Sequence, residues 1–286
     1  MVTLFSHVNE DQPEDPDKFR IVKFDEKRSI GKIDFRSADT MMFITSDSSG
    51  CLARGEVRFP QGMRATLTVS NSACADLSCL ENLSPGDLES IHFDDCCIED
   101  FQLKHIQHLT GLEHITFKNT NISEFGLFFL KELIGLHTLI LDRTPTNDLG
   151  LSYLANLNLL NLYMTQTLIS DEGLVALKTM PILNNVSLPE TITDDGLARL
   201  AGLILTQIDL GDCIKLSNTG LQLLCQLPKL RGIYLPPQFD DDAVILIKPL
   251  SLDTIYFTRE TRTTATGRER LQSEGICKRA MIVTRC

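Results

Sequence analysis

The sequence predicts an α/β solenoid of parallel strands alternating with helices, and two observations predict it. A leucine phrase recurs every 22 to 25 residues over most of the 286-residue chain, and the hydrophobic period changes within each copy. The copies open at Leu88, Leu112, Leu136, Leu159, Leu183, Leu205, Leu230 and Leu252, with apolar residues three and five positions on, such as Ile91 and Phe93 in the first and Ile255 and Phe257 in the last. A unit of this size cannot close its own core and must be buried by its neighbours.

The elements follow in chain order. Residues 1–18 contain the acidic, proline-bearing stretch Asn9 to Asp17, which cannot bury enough apolar surface to offset its ordering entropy and is expected to be a mobile arm. Residues 19–62 carry short β-prone runs at Phe19 to Phe24, Ile30 to Phe35, Met41 to Thr45 and Glu56 to Phe59, expected to form a small β-rich cap over the first parallel strand. The repeats span 63–258, with a weak extra copy near Arg64 marked by Leu67 and Val69. Residues 259–286 lose the phrase, become rich in Arg and Thr and end on the β-prone run Ala280 to Thr284, which reads as a C-terminal cap.

Within a repeat, the first half alternates apolar and polar residues, the pattern of a strand with one buried face. The second half reads Gly-Leu-x-x-Leu-x-x-Leu, as in Gly196 to Leu203 and Gly220 to Leu227, and leucines three apart form one stripe of a helix. Ser123, Ser170, Thr193 and Ser217 stand three residues before the glycine, with Asn147 in a similar place, as N-caps. Asp171, Glu172, Asp194 and Asp195 suit the positive end of the helix dipole, and the acidic triplet Asp240 to Asp242 suits the same role. Eight positions after each opening leucine lies a column of small residues, Ser72, Cys96, Thr120, Thr144, Thr167, Thr191 and Cys213, expected to satisfy backbone groups at the buried turn.

Composition narrows function. A net charge of −11 and a pI near 5.0 argue against general nucleic-acid binding, which needs a positive surface. No run of 18 apolar residues is present, so no membrane span is expected. Nine cysteines without metal-like spacing, and a Met1 region lacking basic and apolar blocks, point to reduced thiols and a cytoplasmic location. No nucleophile elbow, P-loop or dinucleotide fingerprint occurs, so the chain is read as a non-enzyme that needs no cofactor.

The repeats resemble the leucine-rich repeat family over roughly three quarters of the chain. Thr165 to Met180 and Leu188 to Leu203 are similar to the bacterial copies of the cysteine-containing type, whose helical half opens with a hydroxyl residue, acidic residues and Gly-Leu; Leu210 to Leu224 resembles the form in eukaryotic F-box proteins. No F-box is apparent, because residues 19–59 are β-prone and an F-box is helical. The resemblance implies a right-handed solenoid with parallel strands on a concave face and helices on a convex one, and a role in recognising protein partners.

Recognition then falls on strand residues that point away from the core. The central column, four residues after each opening leucine, reads His92, Thr116, Ile140, Tyr163, Ser187, Asp209, Tyr234 and Tyr256, and holds three of the four tyrosines in the chain. Tyrosine offers a rigid face and a polar tip, the combination found at binding hot spots, although it also suits any half-exposed strand. Tyr163, Tyr234, Tyr256, Asp209, Arg231 and His92 are the candidate contacts. Flanking acids, among them Glu89, Asp94, Glu113, Asp142 and Asp253, would steer a protein partner with a basic or polar surface. His92, His114 and His137 lie near carboxylates but in different columns, so solvated histidines are preferred to a metal site. A second reading makes the chain a specificity subunit of a larger signalling or degradation assembly, docked through the N-terminal β element.

Overall fold

A computed structural model describes residues 19–37 and 51–283. The expected arm over 1–18 and the β-prone run Met41 to Thr45 lie outside the described residues. The chain divides into two compact units, 1–136 and 137–286.

In the first unit, β1 (Phe19–Lys23), β2 (Gly31–Ser37), β3 (Cys51–Leu52), β4 (Glu56–Pro60) and β5 (Met63–Val69) are joined by antiparallel pairing: β1 with β4, and β2 with both β3 and β5. From β5 onward the pairing turns parallel, through β6 (Ser90–His92) to β7 (His114–Thr116), with Leu67, Ile91 and Ile115 in register. β2 thus covers an edge of β5 that would otherwise present unpaired backbone groups. Gly31 permits this, since a Cβ there would lie 1.9 Å from the carbonyl oxygen of Thr68. Stacked rings of Phe35 and Phe59, with centroids 4.4 Å apart, pack β2 against the β1–β4 pair.

The second unit is parallel throughout. Its strands β8 (Thr138–Ile140), β9 (Asn161–Tyr163), β10 (Asn185–Ser187), β11 (Gln207–Asp209), β12 (Gly232–Leu235), β13 (Leu252–Thr258) and β14 (Cys277–Val283) pair in chain order. β14 pairs in parallel with β13 over Leu252 to Thr258, so the last described segment adds a strand to this sheet. All three apolar positions of every copy are buried, none more than 2% exposed, as the strand alternation requires. Parallel strands separated by helical segments, one pair to each leucine phrase, make this an α/β leucine-rich-repeat solenoid.

The helical halves are shorter than ordinary helices. α1 (Glu124–Leu127), α2 (Asp148–Tyr153), α3 (Asp194–Arg199), α4 (Asn218–Leu223) and α5 (Asp241–Ile245) are α-helical, α6 (Ala265–Ser273) is longest, and Asp100–His105 and Gly173–Thr179 are 3₁₀-helical. Leucines three apart suit the 3₁₀ form because its three residues per turn bring i and i+3 onto one line. In Gly173–Thr179 the residues so buried are Leu174 and Leu177. Asn147, Ser123, Thr193 and Ser217 cap their helices as expected, and Asp240 caps α5 by accepting from the Ala243 N–H at 2.9 Å.

Asp171 and Asp194 do more than face a helix dipole. Asp171 accepts from the Thr193 N–H at 2.9 Å and from its hydroxyl at 2.6 Å, and Asp100 with Ser123, Asp148 with Ser170, Asp194 with Ser217 and Asp241 with Thr264 repeat the arrangement. Each such carboxylate lies where a Cβ would fall on the glycine three residues beyond the cap, 2.2 Å away at Gly173 and Gly196. That accounts for the glycine at Gly126, Gly173, Gly196, Gly220 and Gly267. Where Asn218 replaces the aspartate, the next cap is Asp240, with no hydroxyl to donate, and the glycine position holds Ala243.

The small-residue column behaves as expected with one exception. Thr120, Thr144 and Thr167 donate to the carbonyls of Phe117, Leu141 and Met164 at 2.7 to 2.9 Å, Thr191 donates to Ile169, and Cys96 and Cys213 donate to Val69 and Pro189. Ser72 instead is exposed and pairs with the Ser70 hydroxyl; Cys74, two residues on, is the buried group that reaches the Ser70 carbonyl. No disulfide joins the seven cysteines whose side chains are described. No helix among the described residues is long and apolar enough to cross a membrane.

Candidate interaction surface

Strand alternation turns the residues between the core leucines outward, and parallel register aligns them across the sheet. In the second unit the resulting column runs Ile140, Tyr163, Ser187, Asp209, Tyr234, Tyr256 and Met281. The Tyr234 and Tyr256 rings stack with centroids 4.1 Å apart and planes 11° from parallel. Stacked side chains on neighbouring strands lose little further freedom when a partner covers them.

Tyr163, Asp209 and Tyr234 line one cavity of about 380 Å³, together with Asn185, Gln207 and Val283. Ser187, between Tyr163 and Asp209 in the column, is only 2% exposed and accepts from the Met164 N–H at 2.8 Å. Asn185 donates to Asn161 at 2.6 Å, and Asn161 to Thr138 at 3.0 Å, an amide row that turns the Asn185 nitrogen along the sheet. Asp209 accepts from the Gly211 N–H at 2.9 Å. Asp142 takes the N–H and hydroxyl of Thr165 at 2.8 and 2.6 Å. Burial pushes the Tyr163 phenol above its ordinary pKa, and the carboxylates of Asp142 and Asp209 push in the same direction.

Of the six candidate contacts, the cavity gathers Tyr163, Asp209 and Tyr234, and Tyr256 stacks against it. Arg231, exposed at the start of β12, donates to the Ser251 carbonyl at 3.0 Å and lies outside the cavity lining. His92 belongs to the first unit, half-buried in the column Thr68, His92 and Thr116. Burial lowers its pKa from 6.5 against the opposing pull of Asp94 and Asp34. The amides of Asn185 and Gln207 were not among the candidates, yet their signal was present, because Asn161, Asn185 and Gln207 occupy the outward position two residues before the tyrosine column.

The flanking acids are engaged. Arg64 reaches Glu89 and Glu113 at 2.5 and 3.0 Å, Lys278 reaches Asp253 at 2.6 Å, and Asp94 accepts from Thr116 and from the Lys118 N–H. Glu89, Glu113 and His114 bring ligand-type atoms within 4.8 Å of one another, but the Arg64 guanidinium already supplies the opposing charge for both carboxylates. His137 lies in the second unit, its carbonyl accepting from Leu160 and Asn161.

No protein-family model matches the chain, and no curated protein does. Two solved structures are similar: an internalin (inlF) of Listeria monocytogenes, 22% identical over 75% of this chain and 66% of that one with a TM-score of 0.47, and an internalin C2 (inlC2) of the same organism, 18% identical over 76% and 80% with a TM-score of 0.46. The chain thus spans slightly less than two thirds of the inlF structure.

Proposed function

We propose that the chain is a non-catalytic protein-interaction scaffold that binds a partner on the strand-lined face of residues 137–286. Tyr163, Asp209, Tyr234 and Tyr256 form the centre of the contact, with Arg231 at its margin and His92 a separate contact of the first unit. The stacked Tyr234–Tyr256 pair beside the Tyr163 cavity carries the reading. Large rigid side chains around a dent are the usual anchors of protein contacts. The partner presents a basic or polar surface, complementary to Asp142 and Asp209. No cofactor, nucleic acid or membrane takes part, and the chain works in the cytoplasm.

Replacing Tyr163, Tyr234 and Tyr256 together by alanine tests this in a capture experiment followed by titration of the recovered partner. Affinity should fall at least about 30-fold, the loss of a hot-spot residue worth 2 kcal/mol or more. Unchanged affinity with unchanged circular dichroism would remove the strand face from consideration. The alternative docking through residues 19–62 is favoured by Ile21 and Leu52, 41% and 60% exposed in that β element. It requires that Ile21→Ser with Leu52→Ser abolish capture while the tyrosine variant retains it.

A further inference from the structure

We infer that the outer edge of β14 pairs with the same edge of a second copy of this chain, antiparallel across a twofold axis, so that the two sheets join.

β14 is the strand of one more repeat. Its register with β13 sets Cys277, Ala280 and Ile282 beside Leu252, Ile255 and Phe257, the three core positions of the leucine phrase. In the eight copies from Leu88 to Leu252 those positions are at most 2% exposed, whereas Ile282 is 49% exposed and its neighbour Met281 45%. Among the described residues β14 is the last strand of its sheet. It runs seven residues where β8 to β11 run three each, and a strand of that length presents a row of backbone N–H and C=O groups that another strand can pair with. In the first unit the chain meets the same need itself: β2 lies antiparallel on β5, and Ile33 and Phe35 of β2 are at most 2% exposed.

The β14 sequence is complementary to itself in one arrangement. A twofold axis perpendicular to the sheet keeps the inward columns of both copies on one side and makes the joined strands antiparallel; an axis along the strands would turn the two Ile282 side chains to opposite faces. With the perpendicular axis at Met281, Ala280 stands across from Ile282 of the second copy, small against large, and Arg279 across from Val283. The two Arg279 side chains are then four residues apart, about 14 Å along the strands and beyond the screening length of about 8 Å at physiological salt. An axis at Ala280 would halve that separation, and parallel strands would set the two arginines side by side. Lys278, the other cation of the strand, is already paired with Asp253 at 2.6 Å.

Sedimentation equilibrium of the full chain should give a mass that rises with concentration from 32.0 kDa toward twice that value. Ile282→Lys sets a cation in the joined core at a position that the single chain leaves 49% exposed, so it should weaken the dimer at least about tenfold while circular dichroism stays unchanged. Met281→Cys brings its two introduced thiols together at the axis, and mild oxidation should link them into a covalent dimer whose 281–281 peptide is identified by mass spectrometry. Arg279→Cys, whose thiols stand across from Val283 and far from each other, should form no such link. A mass fixed at 32.0 kDa at every soluble concentration would overturn the inference. So would a dimer that Ile282→Lys leaves intact, or cross-linking of Arg279→Cys equal to that of Met281→Cys.

Discussion

The outward strand column is built on one backbone pattern in both units, yet its contents differ. In the first unit Thr68, His92 and Thr116 fill it, and the acids beside it are taken up internally by Arg64, Thr116 and the Lys118 N–H. In the second, Tyr163, Asp209 and Tyr234 line a cavity and Tyr256 stacks on Tyr234. The inward positions cannot vary in this way, because a repeat that loses a core leucine also strips its neighbours. The outward positions bear no such duty. They are free to vary in kind, and in the second unit they carry large aromatic rings.

The largest effect that would break this comparison is on binding. Alanine at Tyr163, Tyr234 and Tyr256 should cost about 2 kcal/mol or more of partner affinity, whereas His92→Ala should cost less than about 0.5 kcal/mol; titration calorimetry of both variants checks it. A reversal would move the contact to the first unit.

Next come the aspartate junctions that hold the strands in register. Gly196→Ala places a Cβ 2.2 Å from Asp171 Oδ1 and must displace a carboxylate holding two hydrogen bonds. A loss of about 2 kcal/mol is expected by denaturant unfolding. With Asp171→Ala already present, the same Gly196→Ala change should cost less, since the carboxylate clash has gone and only the Ile192 Cγ2 contact at 2.9 Å remains, and additive costs would refute the coupling. Asn218 followed by Ala243 shows the same pairing in the native chain.

Arg64→Leu should destabilise the first unit by about 1 to 2 kcal/mol, because Glu89, only 7% exposed, loses its guanidinium while remaining buried. The partner's affinity should not move. The smallest effect concerns pH. Burial lowers the His92 pKa below 6.5, so as pH falls through 6.5 the unfolded chain binds a proton before the folded one and stability declines until the folded pKa is passed. His92→Gln should flatten that acid-side decline in melting temperature between pH 7.5 and 5.5; an unchanged slope would place the responsible group elsewhere.

The core of this fold was legible because each repeat states it locally. Leu162 and Met164 alternate with Asn161 and Tyr163, and a strand with one buried face is the only economical outcome. The helix type at Gly173–Thr179 was not legible, since leucines three apart satisfy an α-helix and a 3₁₀-helix alike. Nor was the work of Asp171, because within one repeat it stands only near a helix start, while its partners Thr193 and Gly196 lie one repeat later. The tyrosine column could be read from period alone. The cavity could not, because it depends on amides one column over and on Val283, far along the chain.

The central claim is that the partner lies on the strand face of residues 137–286. Hydroxyl-radical footprinting of the tyrosines in the partner complex tests it most directly, since three of the four stand on that face and Tyr153 stands on α2. Protection of Tyr163, Tyr234 and Tyr256 with Tyr153 unchanged is the expected result; protection of Tyr153 with the three strand tyrosines still reactive would contradict it.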